Sequence, residues 1–281
     1  MGLDPGVALK RALVTSLLAL GPLGCASGDA DLAILASNSD QVIWEAGQTA
    51  FGKKHWENAR QHFRRIIDAF PQSQYAPEAR VALGDAYFNE GGDANYILAV
   101  SAYRDFVTLY PSHPKADYAQ FQTGECYFRR RHGSDRDQTP TVEALAEFDR
   151  LLEAYPRSQW VEPAKLRIRD CRQSLARAEL HAGYFYQRTR KACRSAIPRY
   201  EGLIAEYPDF DGIDEVLFRL GECLMAQGRP AEALPHLQRL VDSYPGSGWL
   251  QQARELIDEA MKSAPAPPPK ADAGPPPPPQ P

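Results

Sequence analysis

Most of the signatures that would mark an enzyme are missing from this 281-residue chain. It has no Gly-x-Ser-x-Gly elbow, no glycine-rich phosphate loop and no His-Glu-x-x-His pair. Its six histidines (His55, His62, His113, His132, His181 and His236) include no pair at metal-ligand spacing. No two cysteines form a Cys-x-x-Cys pair, which removes the common zinc and dithiol motifs. Acid pairs such as Asp214/Glu215 and Glu255/Glu259 fall in helical patterns and read as solvated faces. Sustained alternation of apolar and polar residues is lacking, so no strand is expected. Beyond the N-terminal region no apolar run is long enough to span a bilayer. An excess of positive charge is lacking too. The formal net charge is −4, which argues against nucleic acid as the main partner. What remains is a helical protein expected to bind rather than to catalyse.

What the chain does have is a recurring aromatic-proline phrase. It reads Phe70-Pro71-Gln72-Ser73-Gln74-Tyr75, Tyr110-Pro111-Ser112-His113, Tyr155-Pro156-Arg157-Ser158-Gln159-Trp160, Tyr207-Pro208-Asp209-Phe210 and Tyr244-Pro245-Gly246-Ser247-Gly248-Trp249. The prolines are 40, 45, 52 and 37 residues apart, and each phrase is followed by a new amphipathic run. That is the mark of a repeat array. In the last full repeat Leu217, Leu220, Gly221, Leu224, Gly228, Ala233, Leu237, Leu240 and Pro245 occupy positions 4, 7, 8, 11, 15, 20, 24, 27 and 32 of a 34-residue unit. This is the tetratricopeptide pattern, with small residues where two helices cross and large ones beside them. Gly47, Ala59, Phe63 and Pro71 fit the same register, as do Gly84, Ala99, Tyr103 and Pro111. Repeat two gains three residues around Gly91-Gly92-Asp93, and repeat three gains eight in Arg129–Gln138. Pro163 opens a first helix in repeat four. From Ala164 to Gln187 only Gly183 could break it, so one long helix is expected there.

The expected fold is all-α: a tetratricopeptide-repeat superhelical solenoid of five helix pairs plus a C-terminal capping helix. The units fall at about 41–73, 75–111, 114–156, 160–208 and 212–245, with a cap at 248–262. The cap covers an apolar face that the last repeat would otherwise expose. Residues 263–281 are proline-rich and read as a disordered tail with polyproline-II bias.

At the other end, Lys10 and Arg11 precede the apolar run Ala12–Leu20, and small residues lead to Cys25. Residues 1–24 read as an export signal. Pro22-Leu23-Gly24-Cys25 resembles a bacterial lipobox, although Pro22 stands where leucine is usual; the alternative is an ordinary secretory signal. The resemblance makes Cys25 a lipidated residue, and Ala26 after it implies the outer membrane. Residues 25–40 read as a flexible tether, with Ser39 or Asp40 capping the first helix. Loss of Lys10, Arg11 and Asp4 takes the net charge from −4 to −5. Cys126, Cys171, Cys193 and Cys223 read as small buried core residues, with a Cys171–Cys193 disulfide as an alternative in an oxidising periplasm.

In tetratricopeptide units the first helices line the concave face, and by resemblance positions 5 and 12 point into it. These are Trp44 and Phe51, Val81 and Phe88, Phe121 and Phe128, and Phe218 and Met225. Seven residues is nearly two turns, so each pair shares one helix face. Gln48, Asp85, Asn89, Glu125 and Arg129 are the polar neighbours. Either these residues form a groove for an extended peptide, or the aromatics pack between adjacent first helices. The insertion Arg129–Gln138 is either a contact loop or a solvated excursion in which Arg136 pairs with Asp135 or Asp137.

Cys25, the five units, Ser112–Ala119, Ser134–Gln138, Ser174–Leu180 and Ala196–Glu201 together resemble the BamD (YfiO) family of outer-membrane β-barrel assembly lipoproteins over about residues 25–250. The resemblance implies a scaffold and receptor on the periplasmic face of the outer membrane, with no cofactor beyond the lipid on Cys25. It implies docking on the POTRA domains of BamA, with Arg199 beside Glu201 at the contact, and company with other Bam lipoproteins. It also implies that unfolded outer-membrane proteins are received by the N-terminal repeats. The runner-up is a periplasmic cell-envelope coordinator of the Tol-associated type. Those proteins share the Tyr-Pro-x-Ser phrase but usually carry a coiled coil before the repeats, and no heptad segment precedes Val42 here.

Overall fold

The computed structural model describes residues 32–263. The expected signal, Cys25 and the proline-rich stretch from residue 264 lie outside them. Among the described residues, after the short turn at 32–35, eleven α-helices follow one another: α1 Asp40–Gly52, α2 Trp56–Ala69, α3 Ala76–Glu90, α4 Asp93–Leu109, α5 Ala116–Arg129, α6 Thr139–Ala154, α7 Val161–Tyr184, α8 Cys193–Glu206, α9 Ile213–Ala226, α10 Pro230–Ser243 and α11 Leu250–Ser263. Each packs on the next along the chain, giving the five-pair solenoid with α11 as its cap. No strand occurs among the described residues. The long helix is present: α7 runs for 24 residues and continues into a π-helical turn, Phe185–Thr189. The tether is shorter than expected, because residues 32–35 form a helical turn and Ile34 packs against the first core cluster.

Every second helix stops in the same way. Phe70, Tyr110, Tyr155, Tyr207 and Tyr244 leave the helical region with φ between −133° and −123° and ψ between 55° and 63°. Each still donates its N–H to the carbonyl four residues back. The following proline excludes helical geometry from the residue before it, so the aromatic is the last that can cap.

The rest of the phrase closes the repeat. Ser73 accepts the Tyr75 N–H (3.0 Å) and donates to Asp40 Oδ2 (2.6 Å) at the start of α1. Ser158 does the same for Trp160 and Asp117, and Ser247 for Trp249 and Asp214. Repeat two uses another pair: the Lys115 N–H donates to His113 Nδ1 (3.2 Å), and His113 Nε2 lies 3.4 Å from Glu78. In repeat four the slot holds Phe210, buried in one core cluster with Ala176. An acidic residue in a helix's first turn also complements the helix dipole.

Inside each pair a glycine of the first helix meets a ring or branch of the second. Gly47 faces Phe63, Gly84 Tyr103, Gly124 Phe148, Gly183 Tyr200 and Gly221 Leu237. A Cβ at any of these glycines would fall within 2.6 Å of the facing side chain. The two extra glycines of repeat two, Gly91 (φ 77°) and Gly92 (φ 90°), turn the chain from α3 into α4.

The cysteines correct the sequence reading. Cys193 at the start of α8 is bonded to Cys223 in α9, with Cα atoms 5.0 Å apart, while Cys171 is free and buried. Cys171 belongs to a different core cluster, around Phe148, so Cys193 pairs forward to the next repeat instead of back to α7. Cys126 is a buried free thiol as expected.

Candidate functional site

The positions assigned to the inner face divide by depth. Those at position 5 are largely packed. Val81, Phe121 and Phe218 are 1%, 8% and 5% exposed, and so offer little open surface. Phe121 stacks on Trp160 (4.7 Å between centroids), Phe218 on Trp249 (4.7 Å) and the half-buried Trp44 on Tyr75 (5.7 Å). Each stacking partner is the aromatic that ends the Pro-x-Ser phrase, just before the next first helix. In this row the ring contacts join one repeat to the next.

The position-12 row is more open. Phe51, Phe88 and Phe128 are half-buried. Phe51 meets Trp56 edge-on (5.2 Å), and Phe88 lies beside Tyr96 (5.7 Å) with the Arg129 guanidinium 5.8 Å from its ring. Phe128 meets two guanidinium groups, Arg131 at 3.4 Å and Arg167 at 4.4 Å from its ring centre. Met225 is half-buried against the largest core cluster.

The polar neighbours divide likewise. Gln48 is exposed. Asn89 is exposed and donates to the Asp85 carbonyl (2.7 Å). Asp85 is committed inside, accepting from the Tyr103 hydroxyl (2.6 Å) and the Tyr118 hydroxyl (2.8 Å). Burial raises its carboxyl above the usual range, against the lowering effect of those two donors. Glu125 is 4% exposed and receives Arg167 from α7, with Arg129 3.9 Å away. These carboxylates tie first helices to their neighbours.

The insertion of repeat three folds back on α7. Ser134 Oγ lies 3.1 Å from His181 Nδ1, and a cleft of about 520 Å³ opens between Arg131, His132 and Ser134 on one side and Asp170, Ser174 and Arg177 on the other. Asp137 does not pair with Arg136. It accepts the N–H and hydroxyl of Thr139 (3.0 and 2.7 Å), the first residue of α6. Sequence reasoning missed the contacts of Arg131 and Arg167 with Phe128 and the Ser134–His181 contact. The Phe128–Arg167 and Ser134–His181 contacts join residues 39 and 47 apart, and no local pattern encodes such a meeting.

Arg199 projects from α8 and pairs with Glu179 of α7 at 2.9 Å, both side chains remaining well exposed. Glu201 is exposed two residues on. The free thiols are inert, since burial pushes the Cys171 thiol up to about 12 and Cys126 higher still. Among the described residues no group of three or more His, Cys, Asp or Glu could hold a metal, and no helix is long and apolar enough to cross a membrane.

These features define a class: a tetratricopeptide-repeat scaffold whose accessible inner chemistry is aromatic rings, guanidinium groups and amides. A protein-family model described as "YfiO: Outer membrane lipoprotein" matches residues 36–233, well over half of the chain, and the chain belongs to this family. It is 26% identical over 256 residues to the outer membrane protein assembly factor BamD of Caulobacter vibrioides, covering 91% of this chain and 81% of that one. It is likewise 26% identical to the protein of that name from Rickettsia prowazekii, covering 87% of this chain and 96% of that one. Against the Neisseria meningitidis serogroup A protein of the same name the figures are 24%, 87% and 95%.

Proposed function

We propose that this protein is a lipid-anchored scaffold and receptor in outer-membrane protein assembly. The observation that carries the reading is the family match over residues 36–233, joined by relatives named for outer membrane protein assembly along most of their length. Cys25 takes the lipid and holds the solenoid at the periplasmic face of the outer membrane. The disulfide between Cys193 and Cys223 suits that side of the envelope, since such bonds persist in oxidising compartments. The exposed Arg199, steadied by Glu179 beside Glu201, is the docking point for the POTRA domains of BamA. A guanidinium held by one carboxylate keeps donors for a second, bidentate partner. The half-buried Phe51, Phe88 and Phe128, with Gln48, Asn89 and Arg129, receive extended segments of unfolded outer-membrane proteins. Trp44, Val81, Asp85, Phe121 and Glu125 stand behind them as structural support. Other Bam lipoproteins complete the assembly.

A membrane pull-down with mass spectrometry tests this reading. The intact chain should recover BamA, and Arg199→Glu should lower that recovery by about tenfold, the scale expected when a charged contact is replaced by a like-charge clash. Recovery of Tol components without BamA, or unchanged BamA recovery with Arg199→Glu, would overturn it.

A further inference from the structure

The stretch between Glu179 and Glu201 runs 21 residues without a carboxylate. It carries Arg188, Arg190, Lys191, Arg194 and Arg199 in a protein of net charge −4. Arg199 is paired with Glu179. The other four cations are exposed, and among the described residues none is in an ion pair.

They sit on one built protrusion. α7 passes into the π-helical turn Phe185–Thr189, the Arg190 N–H closes on the Phe185 carbonyl (3.2 Å), and Lys191 turns the chain back with φ 49°. The base of the protrusion is pinned to α9 by the Cys193–Cys223 disulfide and by the Gln187–Glu222 hydrogen bond (3.0 Å). Two rings stand at this end of α7: Phe185 lies 5.6 Å from the Arg190 guanidinium, and Tyr184 lies 4.3 Å from that of Arg219. Tyr184 and Phe185 are 41% and 45% exposed, the only aromatics among the large exposed hydrophobic side chains of the described residues.

We infer that this connection between α7 and α8 is a membrane-contact surface for anionic phospholipid headgroups. Clustered Lys and Arg are drawn to an anionic bilayer surface, and aromatic rings settle at headgroup depth. Arg188, Arg190, Lys191 and Arg194 are absent from the lining of five clefts of the described residues. Long exposed cations beside an exposed ring suit a deformable field of phosphates better than a shaped protein socket. The lipid on Cys25 is part of the functional reading above and is needed only to say which membrane is met. Seven residues from Cys25 to Leu32, where the first helical turn begins, span at most roughly 25 Å, which keeps the solenoid close to the leaflet that anchors it.

The test uses the full chain carrying Cys25→Ser, so that no acyl chain contributes. It is sedimented with vesicles of phosphatidylcholine alone or mixed with phosphatidylglycerol. Binding should require phosphatidylglycerol and should weaken as salt rises. Replacing Arg188, Arg190, Lys191 and Arg194 together by Gln should reduce it by more than a hundredfold, at about fivefold per cation. Phe185→Ser should weaken it with the charges intact. All five side chains are exposed, and circular dichroism confirms that the helices persist. Equal binding to both vesicle types, or full binding by the four-Gln variant, would overturn the inference. So would vesicle binding that is unchanged in that variant while BamA recovery falls, since these cations would then belong to a protein interface. Failure here leaves the BamA pull-down of the intact chain unaffected, so the two readings fail separately.

Discussion

At Gly124 an added methyl group would lie 2.5 Å from Cε1 of Phe148, a side chain fully buried between its neighbours. The ring has nowhere to swing, so Gly124→Ala should cost about 1–3 kcal/mol by overpacking. Gly202 in α8 meets nothing within 4 Å. There Gly202→Ala should instead stabilise, by up to about 1 kcal/mol through helix propensity. Urea unfolding of the two variants separates a glycine required by close approach from one that is not. Glu147 is governed by charge. Burial would raise its carboxyl, but hydrogen bonds from Arg104, Gln120 and Arg150 outweigh that and hold it below the usual range. A depressed folded value means that the carboxylate stabilises the fold above its unfolded value, near 4.5, and that this contribution vanishes as pH falls through the folded value. Glu147→Gln should therefore cost about 1–3 kcal/mol at neutral pH and close to nothing in strong acid. Denaturation at both pH values checks the sign.

Repeat four, with its link to repeat five, carries the most elaborate connection among the described elements. α7 overruns into a π turn, Tyr200 donates to Gln187 (2.8 Å), and a disulfide ties α8 to α9. The bridge joins residues 30 apart and encloses the whole of α8. In the chain-entropy account a loop of that size stabilises by about 3–4 kcal/mol. The double variant Cys193→Ser/Cys223→Ser should unfold at a lower temperature, and a reductant that destabilises the wild type should leave the variant unmoved. The same staple supports both the Arg199 contact and the basic connection. Its loss should loosen these two surfaces before it affects the N-terminal repeats.

Across the whole molecule, contacts run from each helix to the next, and stability in such an array is nearly a sum over neighbours. α11 buries Ala253, Ile257 and Ala260 against the end of the stack. Ending the chain after Trp249 should cost on the order of 3 kcal/mol of apolar burial. The loss should stay local, so hydrogen exchange would quicken in α9 and α10 and stay unchanged in α1 to α4. Equal quickening throughout would mean that the solenoid unfolds as one cooperative block.

The period of the aromatic-proline phrase made the architecture legible, because a helix must stop before proline and a glycine must stand where two helices touch. Five pairs, a cap and the long α7 follow from that register, and so do the candidate rows at positions 5 and 12. The sequence could not say which row stays open. Trp160 and Trp249 had to be brought onto Phe121 and Phe218 before position 5 could be seen as a seam between repeats. It could not choose the disulfide partner either, since Cys193 lies closer in sequence to Cys171 but closer in space to Cys223. Local sequence determines where helices begin and end, through backbone geometry acting over a few residues. Which side chains meet across helices 30 to 40 residues apart is decided only by packing, and packing exists only in the folded stack.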